Sequence, residues 1–156
     1  MDRRVYDIGI IGAGFAGLAC ARAAARRGLR VLVIDRKAEP GQRMHTTGLL
    51  VKEAAERWEI PATLTRRVRG IRLYAPALAA LDLAASGYYF LATDTPALMR
   101  WLAREARRAG AHLRLARPYR GVRRVAGGFE LNGGGERVRY LIGADGPHSQ
   151  VAAEFR

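Results

Sequence analysis

VYDIGIIGAGFAGLACARAAARRGLRVLVID, residues 5–35, decides the fold. An apolar run ends in Gly12-Ala13-Gly14-Phe15-Ala16-Gly17, an Ala-rich segment follows, and Val31-Leu32-Val33-Ile34 closes on Asp35. Ile8 to Ile11 reads as a buried strand, while Leu18, Ala21, Ala24 and Ala25 repeat at helical spacing. Gly28 stands where the end of that helix wants a residue tolerant of positive φ. The order strand, glycine turn, helix, strand, acid is that of a βαβ dinucleotide cradle, in which backbone must approach a pyrophosphate with no Cβ in the way. Gly12 allows the tight turn, Gly14 the approach of the ligand and Gly17 the close packing of helix on strand, with Phe15 and Ala16 opening the helix whose N–H groups face the anion. Asp35 lies 23 positions after Gly12, where a carboxylate accepts the adenosine ribose hydroxyls and repels a 2′-phosphate.

Working outward, Arg36 to Thr47 contains Pro40 and Gly41 and no apolar period, so it reads as a loop. Gly48 to Glu59 regains helical spacing and is stopped by Ile60-Pro61. Three short strands are predicted at Val68–Tyr74, Leu81–Leu83 and Tyr88–Ala92, forming an antiparallel insertion. Asp94 or Thr95 caps a helix with Pro96 in its first turn, carrying Leu98, Trp101, Leu102 and Ala106 on one face as far as Gly110. Ala111–Leu115 suits a third parallel strand. Hairpin strands follow at Tyr119–Val125, Phe129–Leu131 and Val138–Ile142, with Asn132-Gly133 as a strong turn signal. Gly143 to Ser149 forms a second glycine cluster before a short C-terminal helix through Ala152 to Phe155.

Composition narrows the classes. At 156 residues and 49% hydrophobic, the chain has the size and the periodic segments of one globular domain. No run approaches the roughly 18 apolar residues of a membrane span, and Met1-Asp2-Arg3-Arg4 leads into a strand rather than a signal peptide, which points to a cytoplasmic chain. Net charge is +13, but 25 of the 27 basic residues are Arg and they are scattered. The clusters Arg66-Arg67-Val68-Arg69 and Arg120 to Arg124 have little aromatic interleaving, so no specific nucleic-acid partner is expected. Cys20 has no partner cysteine and reads as a small core residue; His112 reads as structural and His148 as a helix-start residue. His45 reads as a solvated loop residue rather than a covalent cofactor anchor. No histidines or cysteines have ligand spacing, so no metal is expected, and catalytic residues are not identifiable.

The two glycine clusters, joined through a hairpin meander, resemble the two-dinucleotide-domain flavoproteins. The most similar are the geranylgeranyl-reductase-like oxidoreductases and the aromatic hydroxylases related to p-hydroxybenzoate hydroxylase. The shared pattern covers most of the chain: the glycine cradle, Asp35-Arg36, the Thr47-Gly48-Leu49-Leu50 segment, the strand insertion, the helix from Thr95 and Gly143-Ala144-Asp145-Gly146 with Ser149. The resemblance implies an α/β, Rossmann-like FAD/NAD(P)-binding domain with a parallel sheet, a β-meander and a small antiparallel strand insertion. It also implies one FAD-binding domain over 1–156, with a partial cap or substrate-side insertion at about 42–94. FAD would be the cofactor, with Gly12, Gly14, Phe15, Ala16 and Gly17 at the pyrophosphate, Asp35 at the ribose and Arg36 at the adenine end. Arg43 would contact the flavin, and Asp145 and Gly146 the middle of the cofactor.

The implied partners are a small apolar or aromatic substrate and NAD(P)H as electron donor. The implied chemistry is reduction of an apolar double bond or flavin monooxygenation. The alternative is a non-catalytic dinucleotide-binding or assembly module. Two departures stand out: many relatives carry a flavin-reaching Arg where this chain has Asp94-Thr95-Pro96, and they continue into a larger substrate domain. The chain therefore reads as the N-terminal part of such an enzyme, with self-association through uncovered sheet edges expected.

Overall fold

The computed structural model describes residues 5–44 and 46–155. The readings made for Met1 to Arg4 and for His45 lie outside the described residues. The chain divides into two compact units, the first formed by 1–42 with 99–156 and the second by 43–98.

The first unit begins with β1 (Val5–Ile11), α1 (Phe15–Ala25) and β2 (Val31–Ile34). All four side chains of β2 are buried, as expected of a β-branched strand covered on both faces. The helix ends in a Schellman motif: Gly28, at φ 80°, donates to the Ala25 carbonyl at 2.9 Å and Leu29 donates to that of Ala24 at 3.3 Å.

In the second unit the predicted helix over 48–59 is replaced by a strand, β3 (Leu49–Val51), running directly into a short helix, α2 (Lys52–Arg57). Leu49 to Val51 finds a strand partner in Phe90 to Ala92, and that pairing overrides its local helical period. A 3-10 turn at Ala62–Leu64 leads to β4 (Thr65–Val68), β5 (Gly70–Tyr74), β6 (Ala80–Ala84) and β7 (Phe90–Thr93). The single strand expected over 68–74 is thus two strands, separated at Arg69 and belonging to different sheets. One sheet has the order β3-β7-β4 and is antiparallel; β5 and β6 form a separate hairpin.

Helix α3 (Thr95–Arg108) is capped by Asp94, whose carboxylate accepts from the Ala97 N–H at 3.1 Å. Of the two cap residues the sequence offered, Asp94 makes this bond and Thr95 pairs instead with the Thr93 hydroxyl at 2.8 Å. The helix buries Leu98, Met99, Leu102, Ala103 and Ala106 and exposes Arg100, Arg104, Arg107 and Arg108. It closes on Gly110, at φ 104°, in a second Schellman motif.

The remaining strands, β8 (His112–Arg114), β9 (Val122–Val125), β10 (Gly128–Leu131) and β11 (Glu136–Gly143), complete a six-stranded sheet in the order β8-β2-β1-β11-β10-β9. Pairings among β8, β2, β1 and β11 are parallel, and β11-β10-β9 is an antiparallel meander. Helix α4 (Gln150–Glu154) ends the described chain.

One face of this sheet packs through Tyr6, Ile11, Leu32, Ile34, Leu131, Val138 and Val151. Tyr6 and Ile11 are an odd number of residues apart and would fall on opposite faces of a regular strand. The register with β11 advances one-for-one from Tyr6↔Val138 to Ile8↔Tyr140, while the successive N–H groups of Asp7 and Ile8 both reach the Arg30 carbonyl, at 2.9 and 3.2 Å. The Tyr6 hydroxyl then meets His112 Nδ1 at 3.0 Å, consistent with a structural His112. Cys20 is half-buried rather than a core residue.

Candidate dinucleotide-binding site

The site forms where β1 ends. Gly12 sits at φ 106°, its N–H donating to the Ile34 carbonyl at 2.8 Å, and a Cβ there would lie 2.2 Å from the Ala144 carbonyl oxygen. Gly17 is equally constrained, since its Cβ would fall 1.9 Å from the Gly12 carbonyl oxygen. Both glycines are required by the protein's own packing. Gly14 is different: a Cβ there meets nothing within 4 Å, and its φ of −79° suits any residue. No neighbouring atom requires a glycine at position 14, the N-cap of α1, and the space beside it is open.

Phe15, Ala16 and Gly17 form the first turn of α1. That helix has no side-chain cap and no acidic residue in its first turn, so its N-terminal N–H groups and positive dipole end have no anion supplied by the helix itself. The arrangement suits a pyrophosphate.

Asp35 closes the other side. Its carboxylate accepts from the Ala13 N–H at 2.6 Å and from the Lys37 N–H at 2.7 Å, so it braces the glycine turn as well as ending β2. Each oxygen keeps a lone pair for a ribose hydroxyl. The Asp35 N–H donates to the Arg114 carbonyl and its carbonyl accepts from the Arg117 N–H, which ties the acid to the end of β8 and the segment after it. Nothing in the sequence near Asp35 signals that tie. Arg36 is exposed beside it.

The second glycine cluster joins the first because β11 runs parallel to β1 and pairs Gly143 with Ile11. The Ala144 N–H donates to the Ile11 carbonyl at 2.7 Å, and the Ala144 backbone is what forbids a side chain at Gly12. Ala144 was not singled out from sequence; the only signal for it is its place between two glycine-bearing segments. Asp145 uses its carboxylate locally, accepting from the Ser149 hydroxyl at 2.6 Å, the Gln150 N–H at 2.7 Å and the Val151 N–H at 3.3 Å. Burial pushes this carboxyl up, but the Ser149 hydroxyl and the N–H groups outweigh it and hold it below the usual carboxylate range. Gly146 follows at φ 89°, a conformation that disfavours other residues. Arg43 belongs to the second unit and adopts φ 49°. His148 is exposed. Among the described residues no group of three or more His, Cys, Asp or Glu is arranged to hold a metal ion.

With this geometry in place, comparison with known proteins is direct. The FAD dependent oxidoreductase family profile matches residues 7–95, more than half of the chain. The chain belongs to the FAD-dependent oxidoreductase family. A digeranylgeranylglycerophospholipid reductase of Methanosarcina acetivorans is 31% identical over 159 residues, covering 94% of this chain and 39% of the reductase. A rifampicin monooxygenase of Streptomyces venezuelae is also 31% identical over 159 residues, covering 94% of this chain and 33% of that enzyme. Among solved structures, a geranylgeranyl bacteriochlorophyll reductase-like protein of Thermoplasma acidophilum superposes with a TM-score of 0.73 at 27% identity, over 92% of this chain and 40% of the other. This family member therefore spans about two fifths or less of the length of these relatives. FAD is the cofactor of the family, and the open Gly14 beside an uncapped helix fits its pyrophosphate.

Proposed function

We propose that this chain holds the adenosine and pyrophosphate half of FAD for an oxidoreductase that reduces an apolar carbon–carbon double bond. The observation that carries the reading is Gly14, the one glycine of the cradle left without a neighbour, at the head of a helix with no cap of its own. In this reading the N–H groups of α1 take the pyrophosphate, Asp35 the ribose and Arg36 the adenine end, while Gly146 approaches the middle of the cofactor. Asp145 shapes that approach by fixing the start of α4. The segment at about 42–94 acts as the partial cap or substrate-side insertion of this reading.

Bound FAD supplies hydride transfer, with NAD(P)H as electron donor. Reduction is favoured because the archaeal relative is a digeranylgeranylglycerophospholipid reductase and the superposed structure is geranylgeranyl bacteriochlorophyll reductase-like. Monooxygenation is the second reading, supported by the rifampicin enzyme at equal identity. The site assembles from backbone and one carboxylate within the first unit, and the chain acts in the cytoplasm.

Calorimetric titration tests the assignment. FAD binds in preference to NADPH, because Asp35 repels a 2′-phosphate, and Gly14→Val abolishes FAD binding while circular dichroism remains that of the parent. Tighter binding of NADPH than FAD, or unchanged FAD affinity in folded Gly14→Val, overturns the reading.

A further inference from the structure

The β5–β6 hairpin presents a surface that neither the cradle nor the cofactor explains. Residues 74–81, Tyr74-Ala75-Pro76-Ala77-Leu78-Ala79-Ala80-Leu81, are eight consecutive apolar or aromatic residues, every one exposed. Leu78 is 79% exposed and Tyr74 64%. The turn closes with the Leu78 N–H on the Ala75 carbonyl and the Ala75 N–H on the Ala79 carbonyl, both at 2.9 Å, and places Leu78 at φ 62°. That left-handed position in a hairpin turn favours Gly or Asn. A leucine there strains the turn and packs into no core, so neither local structure nor burial accounts for it.

The hairpin has two unlike faces. Ile71 pairs with Leu83 and Leu73 with Leu81, giving one apolar face, while Arg72 and Asp82 pair on the other and are joined at 2.6 Å. At the base of the hairpin, Arg67 and Arg69 line a cleft of ≈ 600 Å³ with Ala84, Ala85, Ser86 and Gly87. Arg67 stacks over the Tyr89 ring at 4.1 Å, and neither arginine has a carboxylate partner among the described residues. From Ile60 to Leu81 there is no acidic residue, while Arg66, Arg67, Arg69 and Arg72 all lie in that stretch.

We propose that this hairpin docks on an anionic lipid bilayer surface. The apolar face and Leu78 tip enter the headgroup and upper acyl region, the arginines at the base meet lipid phosphates, and the Arg72–Asp82 face stays in water. Charge complementarity selects this occupant, since a second copy would bring the same arginines against each other. Unpaired backbone at the hairpin edges keeps it at the interface rather than in the hydrocarbon core. The docking is independent of the cofactor site and is tested without flavin.

The experiment is co-sedimentation of the full chain with vesicles of phosphatidylcholine alone and of phosphatidylcholine with phosphatidylglycerol. Binding to the mixed vesicles is expected, with little to the neutral ones. Leu78→Gly relieves the strained turn, so thermal stability stays equal or rises while vesicle affinity falls at least about tenfold, the loss of one buried leucine. Arg67→Glu and Arg69→Glu each weaken binding at least about fivefold. The pair Arg26→Glu with Arg100→Glu, which changes the net charge by twice as much as either single variant but lies in the first unit, binds within twofold of the parent. Failure to bind anionic vesicles, unchanged binding by Leu78→Gly, or equal loss in the Arg26/Arg100 control overturns the proposal. So does concentration-dependent dimerisation, by light scattering, that Leu78→Gly abolishes while vesicle binding persists.

Discussion

Glycines at positions 12, 14 and 17 occupy one motif for different reasons, and substitution separates them. Gly17→Ala drives a Cβ into the Gly12 carbonyl and is expected to cost at least about 2 kcal/mol of stability. Gly14→Ala meets open space and costs within about 1 kcal/mol, the preference for Gly over Ala at an N-cap, yet weakens FAD binding. Urea denaturation beside FAD titration distinguishes the two. At Asp145 the folded-state pKa lies below the ordinary 3.8, so its contribution to stability is fully present above that value and is lost as pH falls through the folded pKa. Asp145→Asn should therefore lower stability at neutral pH by about 1 kcal/mol, as for loss of a helix cap, and the deficit should shrink below pH 3.8. Melting temperature as a function of pH checks this; a deficit that persists undiminished in acid would assign the loss to packing instead.

Among the elements, the meander and the hairpin use the same residue types to opposite ends. Leu131 on β10 is fully buried against the parallel sheet, and Leu131→Ala is expected to cost about 2–5 kcal/mol. Leu73 on β5 is 49% exposed, and Leu73→Ala should stay within about 0.5 kcal/mol. Equal losses in denaturant titration would mean that the hairpin face is covered in solution. Tyr6 joins the same core, sharing a buried cluster with Leu32 while its hydroxyl meets His112. Gly9 is bound to that arrangement as well: a Cβ there would lie 2.7 Å from Val138 Cγ1, so the strand and the meander approach each other only across a glycine.

For the whole molecule, the proposed ligand site lies within the first unit, where backbone of both glycine segments and Asp35 converge. Affinity reflects the contacts a protein supplies along the ligand. ADP, which carries the adenosine and pyrophosphate contacts without the flavin, should therefore bind this chain about as tightly as FAD does, and the purified protein should retain little yellow cofactor. Competition of ADP against FAD by flavin fluorescence checks both, and tight stoichiometric FAD that ADP fails to displace would show that these 156 residues also grip the flavin ring.

Much of this was legible in local pattern. The cradle, the two glycine-closed helices, the third parallel strand and the meander follow from residues whose neighbours in the chain dictate their conformation: Gly12 and Gly28 need positive φ, Val31 to Ile34 have one stable environment, and Asn132-Gly133 turn back on themselves at φ 49° and 75°. Whatever depended on a distant partner was not legible. Leu49 to Val51 became strand because Phe90 to Ala92 offered an edge, and Arg69 separated two strands because they joined different sheets. Tyr6 met His112 across 106 residues, and Asp35 braced Ala13 while Ala144 closed on Gly12. Local steric preference acts within a few residues and is written in order along the chain; hydrogen-bond partners and packing neighbours are selected across it, and only the folded structure decides which groups meet.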